Sequence, residues 1–187
     1  MTKTPYLTGH FLLAMPSIAD PRFERSVVYM CMHSEEGAMG LIVNRMHPGL
    51  DFEQLLEQLD IEVDAISRNV PIHQGGPVEV GRGFVLHSAD YVQESTMIVS
   101  ETVAMTATVD ILRELARGGG PRNALLALGY AGWSAGQLDA EIQRNGWLTV
   151  AADDEILFHT DAEQKWPRAM AMLGVDISML SSESGHA

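Results

Sequence analysis

Two apolar runs joined by a four-residue polar connection dominate the first quarter of the chain: Ser26 to His33, then Ser34-Glu-Glu-Gly37, then Ala38 to Asn44. The runs are rich in Val, Ile and Met, and the connection ends in glycine, which adopts positive φ without steric cost. The pattern is a strand, a turn and a strand. Because the first run is apolar at successive positions rather than at alternate ones, it is covered on both faces. A buried hairpin is therefore the first element of the fold, and the polar residues it carries, Arg25, Cys31, His33, Asn44 and Arg45, are the first candidates for a site.

The rest of the composition limits what can surround that hairpin. A chain of 187 residues with 46% hydrophobic and 20% charged content fits one domain spanning 1–187, with a substantial core and no need of disulfides or metal. The longest apolar runs, about six to eight residues, fall short of the roughly 18 to 20 that span a bilayer, and no basic start leads into an apolar h-region. The expectation is a soluble, unexported protein without membrane contact. Cys31 is the only cysteine, which excludes an internal disulfide and suits a reducing compartment, the cytoplasm. The formal charge of −13, with only two lysines and no basic run, argues against direct DNA binding, where affinity comes from cations displacing counterions at phosphates.

Beyond the hairpin the hydrophobic period alternates. Gly9 to Pro16 is extended, and Asp20-Pro21 marks a turn. Phe52, Leu55, Leu56 and Leu59 fall at i, i+3, i+4 and i+7 behind Asp51, with Gln54 placed to complete a capping box, so a helix is expected there. Pro71 to Gly75, Gly83 to Ser88 and Thr96 to Ser100 have strand character, with a turn over Gly75 to Gly81, and helix is expected to resume near Ala104 and to stop at Gly118-Gly-Gly-Pro121. Ala124 to Leu128 is a core strand. Ser134-Ala-Gly-Gln137 has the form of a capping box that would start a helix at Ser134, and Trp147 to Ala151 returns to strand. Asp161 to Leu173 has helical spacing, with Pro167 predicting a kink or a late start. The tail from Ser181 is expected to be mobile. Irregular interleaving of strands and helices favours an α+β or mixed-sheet domain over a doubly wound one.

Several blocks in order carry a resemblance: Gly9-His-Phe-Leu-Leu-Ala-Met-Pro16, Asp20-Pro-Arg-Phe-Glu-Arg-Ser-Val-Val-Tyr29, Gly37-Ala-Met-Gly40, Gly75-Gly-Pro77, Arg82-Gly-Phe-Val-Leu-His87, Ala127-Leu-Gly-Tyr-Ala-Gly-Trp133, Gly136-Gln-Leu138 and Gly185-His-Ala187. Together they resemble the YqgE/AlgH family over essentially the whole chain. The resemblance implies a bacterial α+β domain with a strongly bent, partly barrel-like mixed sheet flanked by helices. It brings no established activity, and the label of transcriptional regulator on one branch comes without a recognised DNA-binding motif. The sequence departs from the family pattern at Met32, where Glu often stands, and at Met46, where proline often follows. Methionine at 32 removes a carboxylate that could have oriented an imidazole.

Three constellations remain as candidate sites. Strand alternation puts Cys31 and His33 on one face with Val27 and Tyr29. They read either as a thiolate and its base or as a buried small hydrophobe beside a histidine that bonds the turn, and the second reading is preferred because free cysteine is among the most buried residue types. Gly75 and Gly76, with Arg82, Arg25, Asn44 and Arg45, form the second set. Glycine turns can aim N–H groups at an anion and guanidinium groups can grip it in a fork, while the competing reading has these arginines paired with acids such as Asp20 or Glu79. The third is a groove at Tyr130, Trp133 and Gln137, at an expected strand-to-helix junction, against simple core packing. No metal-ligand spacing, P-loop or dinucleotide fingerprint is present, so no metal and no cofactor is expected. These features point to a non-enzymatic binding or regulatory module acting through a protein partner or small anionic ligand. The alternative is a hydrolase or transferase using Cys31 and His33 on an anionic substrate held by arginines.

Overall fold

The computed structural model describes residues 6–174 other than 17 and 19. The expected mobile tail and the Gly185-His-Ala187 block lie outside the described residues. The strands are β1 (His10–Ala14), β2 (Val27–Ser34), β3 (Gly37–Ile42), β4 (Ile72–Gln74), β5 (Val78–Ser88), β6 (Thr96–Ile98), β7 (Val103–Thr106), β8 (Ala124–Ser134) and β9 (Trp147–Ala151). The helices are α1 (Phe52–Gln58), α2 (Val109–Ala116), α3 (Gln137–Gln143), α4 (Asp154–His159) and α5 (Ala162–Met172).

One strongly curled sheet runs β6-β7-β5-β8-β3-β2-β1-β9 with antiparallel neighbours. The parallel pairing of β4 with β8 makes it mixed. Strand β8 organises the curl: its first half lies between β5 and β4, and its second half pairs with β3 through Gly37↔Ser134 to Gly40↔Ala131. Side-chain alternation then builds different cores on the two faces. Phe11, Leu13, Val27, Tyr29, Cys31 and Leu41 point to the concave side, where α4 and α5 cover them with Ile156, Leu157, Trp166 and Met170. Their neighbours Leu12, Val28 and Met30 face α3 together with Trp133, Leu138 and Trp147. A third cluster seats α1 and α2 on β4, β5 and β8 through Phe52, Leu56, Ile72, Val85, Ile111 and Leu115.

Local chemistry explains most element ends. In α1 the Gln54 N–H donates to Asp51 Oδ1 at 2.8 Å and the Asp51 N–H donates to Gln54 Oε1 at 2.9 Å, the reciprocal box that the sequence predicts. The hairpin turn is also as read, with Ser34 opposite Gly37. Three expectations need correction, and of the two outcomes expected at Pro167 the late start is not taken. The helix expected near Ala104 begins at Val109, because Val103 to Thr106 is a fully buried strand between β5 and β6. Ser134 ends β8 instead of capping α3: its N–H donates to Gln137 Oε1 at 3.0 Å, but Gly136 takes the N-cap position at φ 76°. The turn expected over Gly75 to Gly81 is already β5 from Val78, with an irregular register between Val78 and Gly83. Helix α5 starts on time at Ala162 and contains Pro167.

Candidate functional site

At the open end of the β2–β3 hairpin, Asn44 turns its side chain back into the chain it follows. Its Oδ1 accepts from the Val27 N–H at 2.9 Å and its Nδ2 donates to Arg25 O at 2.9 Å. Arg25 is held at φ 52°, a conformation rare for a residue with a Cβ. Its guanidinium carbon lies 4.8 Å from the centroid of the Trp166 ring, a cation–π geometry. Trp166 is fixed in turn by donating its indole N–H to Ala14 O at 3.1 Å. Arg25, Asn44 and Arg45 line one cleft of about 390 Å³ with Glu24, Glu163 and Trp166. Among the described residues no carboxylate lies within 4 Å of the Arg25 guanidinium.

Arg45 connects this cleft to a neighbouring hollow of about 200 Å³ that also takes in Arg22, His47, Gln74 and Gly76. Its guanidinium donates to Arg22 O and, at 3.4 Å, to Glu24 O, so it clamps the 20–25 loop through carbonyls and not through an acid. The Gly75-Gly76 pair is not an anion cradle at Gly75, whose N–H is spent on Leu128 O at 2.8 Å while its carbonyl accepts from the Ile42 N–H at 2.8 Å. A Cβ at Gly75 would stand 2.3 Å from Gly129 O, and one at Gly76 2.1 Å from Tyr130 C. The glycines are required where this segment crosses β8. Arg82 does not join the others: it lies 3.6 Å from Glu79 and over the Phe84 ring, outside both hollows.

Cys31 and His33 are not the facing pair that strict alternation predicts. The pairing with β3 slips between Met30 and Met32, leaving Cys31 as an extra residue in a bulge. Cys31 therefore points into the concave core, 2% exposed, with burial pushing its thiol up to about 12. His33 turns to the other side, where its Nδ1 accepts from the Leu7 N–H at 2.9 Å and its Nε2 lies 3.6 Å from Asp139 Oδ1 of α3. That acceptor at Nδ1 fixes the neutral ring as the Nε2–H tautomer. No distance suited to a thiol–imidazole couple arises from this arrangement.

Strand β8 also separates the aromatic pair. It runs on to Ser134, so Tyr130 and Trp133, three residues apart, face opposite sides. Tyr130 packs edge-on against Phe84 at 5.9 Å, whereas Trp133 and Gln137 line a chamber of about 520 Å³ shared with Arg22, Glu141, Arg144 and Trp147. Arg22 and Arg144 are missed by sequence reasoning: both line this chamber, and Arg22 also lines the hollow beside Arg45. Four of the chain's ten arginines, Arg22, Arg25, Arg45 and Arg144, line these three depressions, a clustering that their spacing along the chain conceals.

A buried cation was missed as well. Lys165 of α5, 3% exposed, donates from Nζ to Val43 O at 2.7 Å and to Leu157 O at 2.8 Å. Burial pushes its pKa down to about 8. It lines none of the three depressions, so it ties α4 and α5 to the end of β3 rather than meeting a ligand. His73, buried on β4, is pushed down to about 4 by burial and then by the charge of Lys165. Among the described residues no group of three or more His, Cys, Asp or Glu is placed to hold a metal ion, and no helix is long and apolar enough to cross a membrane.

A family model described as AlgH-like matches residues 11–178. The chain belongs to the AlgH-like family. A UPF0301 protein of Cereibacter sphaeroides is 55% identical, over 97% of this chain and 99% of its own length. A UPF0301 protein of Afipia carboxidovorans is 52% identical over 98% of this chain and 91% of its own. Among solved structures, the AlgH protein from Pseudomonas aeruginosa superposes with a TM-score of 0.80 at 46% identity, covering 100% of both chains. A Corynebacterium diphtheriae protein shares the fold at a TM-score of 0.72 and 20% identity, over 91% of this chain and 88% of its own. In this AlgH-like chain the Gly75-Gly-Pro77 block is the crossing over β8, and the Asp20 to Tyr29 block is the loop and strand that Asn44 and Arg45 fasten.

Proposed function

We propose that this chain is a non-enzymatic binding module whose ligand is a small anion, or an anionic group presented by a partner protein, seated between Arg25 and Arg45. The observation that carries the reading is the Arg25 guanidinium: it lies over Trp166 at the mouth of a cleft, on a backbone whose carbonyl Asn44 binds, with no carboxylate within 4 Å among the described residues. A cation stacked on an aromatic face keeps its N–H edge free for a carboxylate or phosphate oxygen, and such charge-assisted bonds are about twice as strong as neutral ones. Arg45 adds the remaining donors of its fork from the other wall. The buried Cys31 thiol supports a structural part for that residue, and a single cysteine suits a reducing, cytoplasmic setting.

Titration with inorganic phosphate and with pyrophosphate, followed by calorimetry, tests the reading. Saturable binding that weakens with ionic strength and drops about tenfold or more in Arg25→Gln is the expected result. Absence of saturable binding, or affinity indifferent to both Arg25→Gln and Arg45→Gln, overturns it.

A further inference from the structure

The chamber beside α3 is built differently from the arginine cleft. Four charged side chains line it: Asp20, Arg22, Glu141 and Arg144. Asp20 and Arg22 are spent on each other through three side-chain bonds at 2.6, 3.0 and 3.1 Å. Glu141 and Arg144 are not. Glu141 is held by three neutral donors, with Oε1 accepting the indole N–H groups of Trp133 at 3.1 Å and Trp147 at 2.9 Å, and Oε2 accepting Gln137 Nε2 at 2.9 Å. Among the described residues no cation lies within 4 Å of that carboxylate, and the Arg144 guanidinium has only a 3.3 Å bond from Nε to Ala140 O.

An ionised carboxylate offers about four acceptor positions. Three are taken at Glu141, and the ring edges that take them fix where the fourth points. Arg144 stands three residues on, at the end of the same helix, a spacing that puts Cβ atoms about 5–6 Å apart. The chamber thus holds one unneutralised negative group and one unneutralised positive group a short distance apart. Its apolar wall is Phe23, Trp147 and Trp133, stacked edge to face at 5.7 and 5.9 Å between ring centroids. Its volume, about 520 Å³, is that of a small-molecule site.

We propose that this chamber binds a small zwitterion of the α-amino acid type: its ammonium donates to Glu141, its carboxylate accepts from Arg144, and an apolar or aromatic side chain lies against Phe23, Trp133 and Trp147. The i,i+3 spacing of Glu141 and Arg144 brings the two partners within reach of one small molecule that carries both charges. A simple anion satisfies Arg144 and leaves Glu141 facing like charge; a simple cation does the reverse. Only a ligand carrying both relieves both. The site is separate from the Arg25 cleft and does not depend on an anion binding there.

The test uses the Trp166→Phe protein, whose remaining tryptophans are the two in the chamber. Three probes are titrated and tryptophan emission is followed: L-phenylalanine, L-phenylalaninamide, which lacks the carboxylate, and 3-phenylpropionate, which lacks the ammonium. L-Phenylalanine is expected to bind saturably and about tenfold or more tightly than either analogue. Arg144→Gln removes its advantage over the amide, and Glu141→Gln removes its advantage over the propionate. Since Glu141 anchors two indoles, circular dichroism checks that variant's fold, and the exposed Arg144→Gln decides if it fails. No saturable response to L-phenylalanine, or a response unchanged by Arg144→Gln, overturns the proposal. Phosphate binding that is lost in Arg25→Gln and kept in Arg144→Gln reports on the arginine cleft.

Discussion

Asn44 holds Arg25 in place by bonding the backbone on both sides of Ser26, donating to Arg25 O and accepting from the Val27 N–H, each at 2.9 Å. The two bonds offset the strain of Arg25 at φ 52°. Asn44→Ala removes both, leaving the partly buried Val27 N–H without a partner and the exposed Arg25 carbonyl to water, so stability should fall by about 1 to 2 kcal/mol in urea unfolding. The same variant frees Arg25 from Trp166, and phosphate affinity should fall with it. A loss of stability with phosphate binding intact would separate the hairpin's packing from the cleft.

Cys31 offers a second measurement. Its thiol is 2% exposed and its pKa is raised to about 12 by burial. Thiolate is the reactive form. Native alkylation by iodoacetamide at neutral pH is therefore expected to run at least about 100-fold slower than in urea-unfolded protein. Rapid modification of the folded chain would place the thiol at the surface and restore the nucleophile reading.

Where local chemistry decides the structure, the sequence was legible; where a tertiary contact decides it, the sequence was not. Asp51 and Gln54 form their box within one turn, and Ser34 to Gly37 closes its hairpin within four residues. Ser134 and Gln137 carry the same spacing signal, yet pairing of Ser134 with Gly37 keeps Ser134 in β8 and moves the N-cap by two residues, to Gly136. The bulge at Cys31 has no marker in the string Met30-Cys-Met32, and it alone turns His33 from the concave face toward Asp139. Arg25, Asn44 and Arg45 were found together because one hairpin joins them. Arg82 was grouped with them through its glycines, which turn out to serve a chain crossing. Lys165 was invisible because its partners are carbonyls of Val43 and Leu157, which no side-chain pattern reports.

The clustering of Arg22, Arg25, Arg45 and Arg144 on three neighbouring depressions raises the question of nucleic acid. Acids share the same walls: Asp20, Glu24, Glu141 and Glu163. With four acids against four arginines locally and a chain charge of −13, counterion release offers little net gain. Fluorescence anisotropy with duplex DNA at physiological salt is expected to show no saturable binding in the nanomolar range, and salt-sensitive saturation there would refute this.

Lys165 makes the pH dependence of stability specific. Its folded pKa is about 8 against an ordinary 10.5, because burial disfavours the charged form. Between those values the unfolded chain binds more protons than the folded one, so stability contributed by this group rises with pH. The full span is worth on the order of 3 kcal/mol. Cys31 works in the opposite sense: its folded pKa is raised from 9.0 to about 12, so the folded state holds the proton longer and stability falls as pH climbs through that window. Wild-type stability should therefore rise from pH 8 to about 9 and flatten above it as the two effects cancel. Lys165→Met abolishes the rise and leaves a curve that only declines above pH 9, while Cys31→Ala lets the rise continue to about 10, where the buried Tyr29 phenol, also raised by burial, begins to oppose it. Urea midpoints measured for the three proteins at half-unit pH intervals resolve this, and an identical pH profile in wild type and Lys165→Met would show that the buried ammonium is not what the folded state strains to keep charged.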